Sequence, residues 1–451
     1  MTAISRTWDQ LTLPGKFLAV VVPLLLFLTA GGVITILLFG GIVWQAILDH
    51  LEIVRLLVAV LALVLIFIPF AFVIIYMELK VIARMNLRIG PDRVGPWGTL
   101  MSLVPGLKVL TKEDFIPTRA DPLVFTWAPV VVFATSVMSA LVLPFAPGLY
   151  GQDLNIGLLY FFAVGGMEVV GLLMGGWASF NKYSLLGGLR SAAQIVSYEI
   201  PLTLSVVGLI ILAGTMSLNQ IVEQQSGWFT SWYVFRQPLA FVIFFIAATA
   251  EANRTPFDLT EADSEIVAGF ATEYSGMRFG FFFFAEYVNV FIVSALTTVL
   301  FLGGWNAPID LPHVAIALDP GAYGLGLLFF VLLVPVIGTL VLAAPVYLLR
   351  SQTRWWVALI IGFVLFNVVA AGLTFLWAYV SFDFVAGLVW LLGKAFALVF
   401  VFVWMRGTLP RVRIDQLMGF AWKWLLPAAL LNLFVTAAAV IAVDALKGTP
   451  L

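Results

Sequence analysis

Residues 237–303 read QPLAFVIFFIAATAEANRTPFDLTEADSEIVAGFATEYSGMRFGFFFFAEYVNVFIVSALTTVLFLG, two apolar runs on either side of a polar, mostly acidic segment. A helix that crosses a bilayer needs roughly 20 consecutive, mostly apolar residues. Runs 237–253 and 280–303 are therefore read as membrane helices joined by a loop in water. Outward in both directions the same alternation predicts spans near 17–48, 52–78, 123–145, 157–178, 192–214, 323–349, 355–381, 386–406 and 424–445. The expected fold is all-α and integral to the membrane, a polytopic bundle of about eleven transmembrane helices.

Composition agrees. The chain is 62% hydrophobic and 10% charged, with a mean hydropathy of +1.08, whereas a soluble domain is about a quarter charged. A net charge of -1 gives no ground for nucleic-acid binding. The N-terminal MTAISRTWDQ leads into an apolar run too long for a signal-peptide core, so it is read as a retained helix. With no cysteine the chain offers no iron–sulfur ligand. His50 and His313 are its only imidazoles and lie far apart, so neither a metal nor a haem is expected on it. No phosphate-binding glycine loop occurs.

Lys and Arg concentrate on the cytoplasmic side of membrane proteins. Eleven spans with a cytoplasmic N-terminus place 19 of the 23 basic residues inside; Arg55, Arg236 and Lys447 fall outside, and Lys394 lies within a span. Both long loops, Leu79 to Pro122 and Ala252 to Phe279, then face the cytoplasm. The first is basic and rich in Gly and Pro, which impose turns; its bland reading is an ordinary positive-inside loop. The second sets Glu251, Asp258, Glu261, Asp263, Glu265 and Glu273 against Arg254. Clustered carboxylates raise one another's pKa and can relay protons; the bland alternative is a solvated acidic loop. Inside predicted spans stand Glu168, Glu199 and Glu286, and an ionisable group in hydrocarbon is costly enough to suggest function. Their structural alternative is a protonated Glu bonded across helices. Lys394 is free to pair with one of these carboxylates or to snorkel.

Six segments in order make the chain recognisable: RIGPDRVGP (88–96), KEDFIP (112–117), GWASFNKYSLLGGLRSAAQIVSYE (176–199), EANRTPFDLTEADSEIVAGFATEYSGM (251–277), FLGGW (301–305) and RGTLPRVRIDQL (406–417). Together they resemble the H subunit (subunit 1) family of respiratory complex I, the proton-translocating NADH:quinone oxidoreductase. The resemblance implies eight tilted helices against a peripheral arm whose iron–sulfur subunits reduce the quinone, in a bacterial inner membrane. It implies antiporter-like and small membrane subunits as further partners, with quinone (ubiquinone or menaquinone) as substrate and no redox centre on this chain. By motif it assigns Glu168, Glu199, Glu251, Glu261, Asp263, Glu265, Glu273 and Glu286 to a proton relay. Arg88, Arg93, Lys108, Lys112, Glu113, Asp114, Arg254, Asp258 and Phe270 fall to the quinone chamber. The chain departs from the family at Val104-Pro105-Gly106, where a loop carboxylate is missing, and at Asp263-Ser264, Phe270-Ala271 and Ile414. Glu168 stands one place from the usual span carboxylate, a turn of about 100° on a helix.

The expected organisation is an extra N-terminal helix (1–51), a family core with both loops (52–312), an inserted transmembrane hairpin (313–385) and the last two family helices (386–451). Two other readings stay open: a membrane subunit of a ferredoxin-linked complex or membrane-bound hydrogenase, and a proton-coupled secondary transporter. The intact EYSG (273–276) favours the quinone enzyme, and internal repeats, usual in transporters, are not found.

Overall fold

The computed structural model describes residues 52–94, 96–258, 268–308 and 383–447. The expected helices at 17–48, 323–349 and 355–381 lie outside the described residues, as do His50, His313, Glu261, Asp263 and Glu265. The chain divides into two units, Met1–Ala62 and Leu63–Leu451. Of the first, only residues 52–62 are described, as the opening of a helix; the site lies in the second.

Among the described residues the fold is helical, without a named strand. Helix α1 spans Glu52–Met85. At 34 residues it is about 51 Å long, against roughly 30 Å of hydrocarbon, so its last turns extend well beyond the expected end at 78. Phe67, Ala71 and Ile74 are buried at 1–2% exposure, a stripe of spacing four and three on which Glu78 is the next residue. After Leu87, left-handed at φ 56°, the chain turns back. A 3₁₀ turn, Pro96–Ser102, leads to α2, Leu103–Thr111. Its Leu103, Leu107 and Leu110 are exposed, as in a helix lying at a membrane interface.

Helix α3, Pro122–Ser139, starts at Asp121, whose carboxylate accepts from the amides of Leu123 and Val124, with Pro122 as its first residue. The expected span 157–178 is broken in two, α4 (Gly157–Gly165) and α5 (Met167–Ala178). Gly171 lets α5 approach α3, since a Cβ there would sit 2.5 Å from Val132 Cγ2. Helix α6, Lys182–Ala213, begins ten residues before its predicted start, because Asn181 caps it by accepting from the Tyr183 amide at 2.9 Å. Short α7 (Leu218–Glu223) and α8 (Tyr233–Arg236) precede α9, Pro238–Glu251.

Helix α10, Gly276–Phe301, is the most buried of the six spanning helices found among the described residues. Beside it runs α11, Asp383–Thr408. Finally α12 (Ile414–Phe420) passes through a π turn at Ala421–Leu425 into α13, Leu426–Lys447. Six described helices are long and apolar enough to cross a membrane, and the chain is an integral membrane protein. Lys394 contacts no carboxylate among the described residues. Its Nζ donates to the carbonyls of Leu302 (2.7 Å), Gly304 (3.0 Å) and Asn306 (2.6 Å) and lies 4.1 Å from the Trp232 ring centre. It closes the far end of α10, where orphaned carbonyls attract a cation.

Candidate functional site

The chemistry gathers where the loops meet α1, α6, α10 and α11. At its centre is Glu78. Tyr287 donates its hydroxyl to Glu78 Oε2 at 3.0 Å, Arg254 lies 3.8 Å away, and Arg406 forms a direct ion pair with Oε1. The Arg254 guanidinium also stacks over the Tyr287 ring at 4.2 Å. Burial disfavours the charge on Arg254, but Tyr287, Glu78 and Glu286 outweigh it and raise its pKa above the ordinary value. Asp258, buried four residues on, pairs with Arg411 at 3.2 Å.

The turn presenting Arg254 and Asp258 is anchored from α6. Buried Gln194 donates through Nε2 to the carbonyls of Ala250 (2.7 Å) and Phe257 (2.8 Å) and to Asn253 Oδ1 (3.2 Å). A second group of acids lies against the break in the α4–α5 span. A Cβ on Gly166 would be 3.0 Å from Glu199 Oε1, and one on Gly165 would be 3.8 Å from Glu251 Oε1. The small residues at the break leave room for both carboxylates. Glu168, in the first turn of α5, is buried and accepts from Asn289 Nδ2 at 3.1 Å. Glu251 is close enough to Glu168 and Glu199 for their charges to interact. Among the described residues none of these three carboxylates is ion-paired.

Two cavities border this region. One, about 300 Å³, is lined by Asp258, Glu286, Arg406 and Arg411 together with Phe270 and neighbouring phenylalanines. The other, about 380 Å³, is almost wholly apolar and lies between α1, α2, α3 and α10. Phe279 and Phe283 line both. They stack on one another at 6.1 Å, and Phe283 meets Tyr287 at 4.9 Å. A row of rings at helical spacing thus runs from the apolar groove to the ion network.

The family model described as NADH dehydrogenase matches residues 57–437. The chain belongs to this family. Among its curated relatives, a protein of Solibacter usitatus named as H subunit 1 of NADH-quinone oxidoreductase is 43% identical, over 80% of this chain and 90% of its own length. Proteins named as the H subunit of NADH-quinone oxidoreductase in Bacillus cytotoxicus (43% identical) and Brevibacillus brevis (42%) align with 84% and 85% of this chain and 92% and 91% of their own.

Within this NADH dehydrogenase chain the expected site residues separate into groups. Arg254, Asp258, Phe270 and Glu286 stand together at the charged cavity or its ion network, and Glu168, Glu199 and Glu251 at the helix break. Glu273 lies elsewhere, accepting from Asn181 Nδ2 at 2.6 Å in an open cleft with Arg119 and Lys182. Asp114 pairs with Arg278 at 3.2 Å, and the Glu113 carbonyl accepts from Ser275, which straps KEDFIP across the start of α10. Exposed Arg88, Arg93, Lys108 and Lys112, like Glu113 and Asp114, line neither cavity. Sequence reasoning does not single out Glu78, Tyr287, Gln194, Arg406 or Arg411 as site residues. The signal for Glu78 is its place on the buried stripe of α1.

Proposed function

We propose that this chain, as the H subunit of an NADH-quinone oxidoreductase, receives the quinone at its two adjoining cavities and couples its reduction to proton translocation. The apolar groove suits an isoprenoid tail entering from the bilayer, and the charged cavity suits a head group that gains charge and takes up protons. The observation that carries this reading is that Phe279 and Phe283 wall both spaces, so one ligand, amphipathic as a quinone is, fits the pair.

In this reading the electrons come from an iron–sulfur subunit of the peripheral arm, docked on the loop end in the cytoplasm of a bacterium. Neighbouring antiporter-like and small membrane subunits carry the protons onward. The chain supplies no redox centre and no metal. Its own residues orient the head group, exclude water and move protons. New charge beside Arg254, Asp258 and Glu286 biases the turn at 251–258, and the bias reaches Glu199 and Glu168 through Glu251. Glu261, Asp263, Glu265 and Glu273 are assigned to the proton relay, and Arg88, Arg93, Lys108, Lys112, Glu113 and Asp114 to the first loop of the quinone chamber. Segments 1–51 and 313–385 are assigned to one added helix and an inserted hairpin around the core segments 52–312 and 386–451.

The test is purification of the native complex in mild detergent, with NADH and reduced ferredoxin compared as donors. Co-purifying iron–sulfur subunits and inhibitor-sensitive quinone reduction from NADH are expected. Proton-coupled solute uptake by a lone chain would overturn the reading. In the assembled complex, Glu199→Gln and Glu286→Gln should each reduce the protons moved per electron while electron transfer to a hydrophilic acceptor persists. Wild-type pumping in both would remove them from the relay.

A further inference from the structure

Gln194 is fully buried and lines neither cavity, yet its side chain joins both halves of the site. Three oxygens surround its Nε2 within 3.2 Å. The amide orientation is fixed by the two main-chain carbonyls, since Oε1 in the same place would face two groups that can only accept. The turn it grips is an irregular piece of backbone, with Asn253 in the left-handed region at φ 49°. Glu251, at its beginning, faces Gly165 and the acid group; Arg254 and Asp258, at its end, face the ion network and the charged cavity. One helical turn beyond Gln194, the Tyr198 ring packs against Phe257 at 5.7 Å and its hydroxyl donates to the Leu417 carbonyl at 2.9 Å. Two residues on one face of α6 therefore hold the turn, and Glu199 follows directly on the same helix.

We propose that Gln194 is a positioning residue that fixes the Glu251–Asp258 turn to α6, so that events in the charged cavity are transmitted to Glu251 and Glu199. The proposal rests on the quinone reading above. Gln194 acts only through the turn. With the amide gone, the turn can shift against α6 without moving Glu199, the one acid of that helix, so the cavity and the acid group lose register. Both the fit of the quinone head and the yield of protons should suffer.

The experiment uses the whole complex reconstituted in lipid vesicles, with a short-tailed quinone as substrate and Gln194→Met and Gln194→Glu as variants. Gln194→Met keeps the volume and removes the donors. It is expected to raise the quinone KM about tenfold, the cost of one or two buried hydrogen bonds, and to lower the protons moved per electron. Electron transfer from the donor to a hydrophilic acceptor should stay near wild type. Gln194→Glu has one hydroxyl donor when protonated and only acceptors when ionised. Burial disfavours the ionised form of a Glu at this fully buried position, so its KM should climb further as pH rises from about 6 to about 8, a slope added to whatever wild type and Gln194→Met share and one that a filler of space would not produce. Wild-type KM and pumping in Gln194→Met, identical pH profiles in the two variants, or failure of both to assemble would each overturn the proposal. If the wild-type complex itself shows no inhibitor-sensitive quinone reduction, the quinone reading falls too; if it does and only the variants behave as wild type, the Gln194 assignment alone is lost.

Discussion

Helix α10 meets charge in opposite ways at its two ends. Toward the loops, Tyr287 and Glu286 join a network in which ions face ions: Glu78 with Arg254 and Arg406, and Asp258 with Arg411. At the far end a single cation, Lys394, is satisfied by three main-chain carbonyls and the face of Trp232. Backbone carbonyls do not titrate and cannot leave the chain, so the far end is an anchor. Carboxylates and a phenol can change charge or partner when a ligand arrives, so the loop end can respond. A membrane protein that converts a reaction into movement needs both, a fixed point and a bistable one.

The comparison breaks most severely at Glu78. Glu78→Gln leaves Arg254 and Arg406 facing a neutral amide in a largely buried site, and stranding a buried charge costs about 3–5 kcal/mol. Loss of inhibitor-sensitive quinone reduction, and little assembled complex, are expected on native gels and in membrane assays; a fully active, fully assembled variant would show that the network is incidental. Lys394→Met strips the anchor of its charged donor. About 2 kcal/mol of stability should go, from hydrogen bonds made by a charged group, seen as a lower thermal midpoint of the purified complex. The quinone KM should not move, and a KM shift comparable to that of a loop-end variant would erase the distinction between the ends. Tyr287→Phe is the mildest. The ring still lies under Arg254, and what is lost is the hydroxyl, with its hydrogen bond to Glu78 and its side-chain interaction with Arg254, about 1 kcal/mol. A two- to fivefold fall in quinone reductase rate, with assembly intact, would place the phenol within the responsive network rather than merely beneath it.

Much of this is legible in the chain without coordinates. Six helices appear where apolar runs predict them, because a bilayer gives a helix no choice but to be apolar for about 20 residues. The acids at 168, 199 and 286 are marked by their cost in hydrocarbon alone, and Glu251 by its place at the head of the acidic loop. The break at Gly165–Gly166 is not, since a 22-residue apolar run looks continuous. Nor is Glu78, which stands near the end of a predicted span, where a hydrated carboxylate at the interface looks just as natural. The early start of α6 is hidden because SFNKYS reads as a loop, although Asn181 is a good capping residue.

By itself, then, the sequence determined that this is a helical membrane protein of the NADH dehydrogenase family, and where six of its described apolar helices lie. Hydrophobic length and motif order are properties of the linear chain. Only the tertiary structure decided which acids face one another and which face arginine, that Gln194 holds the turn between them, and that Phe279 and Phe283 wall two cavities at once. Those facts depend on the rotation and crossing of helices far apart in sequence, set by side-chain packing and by glycines that let backbones approach, and no reading of one helix at a time contains them.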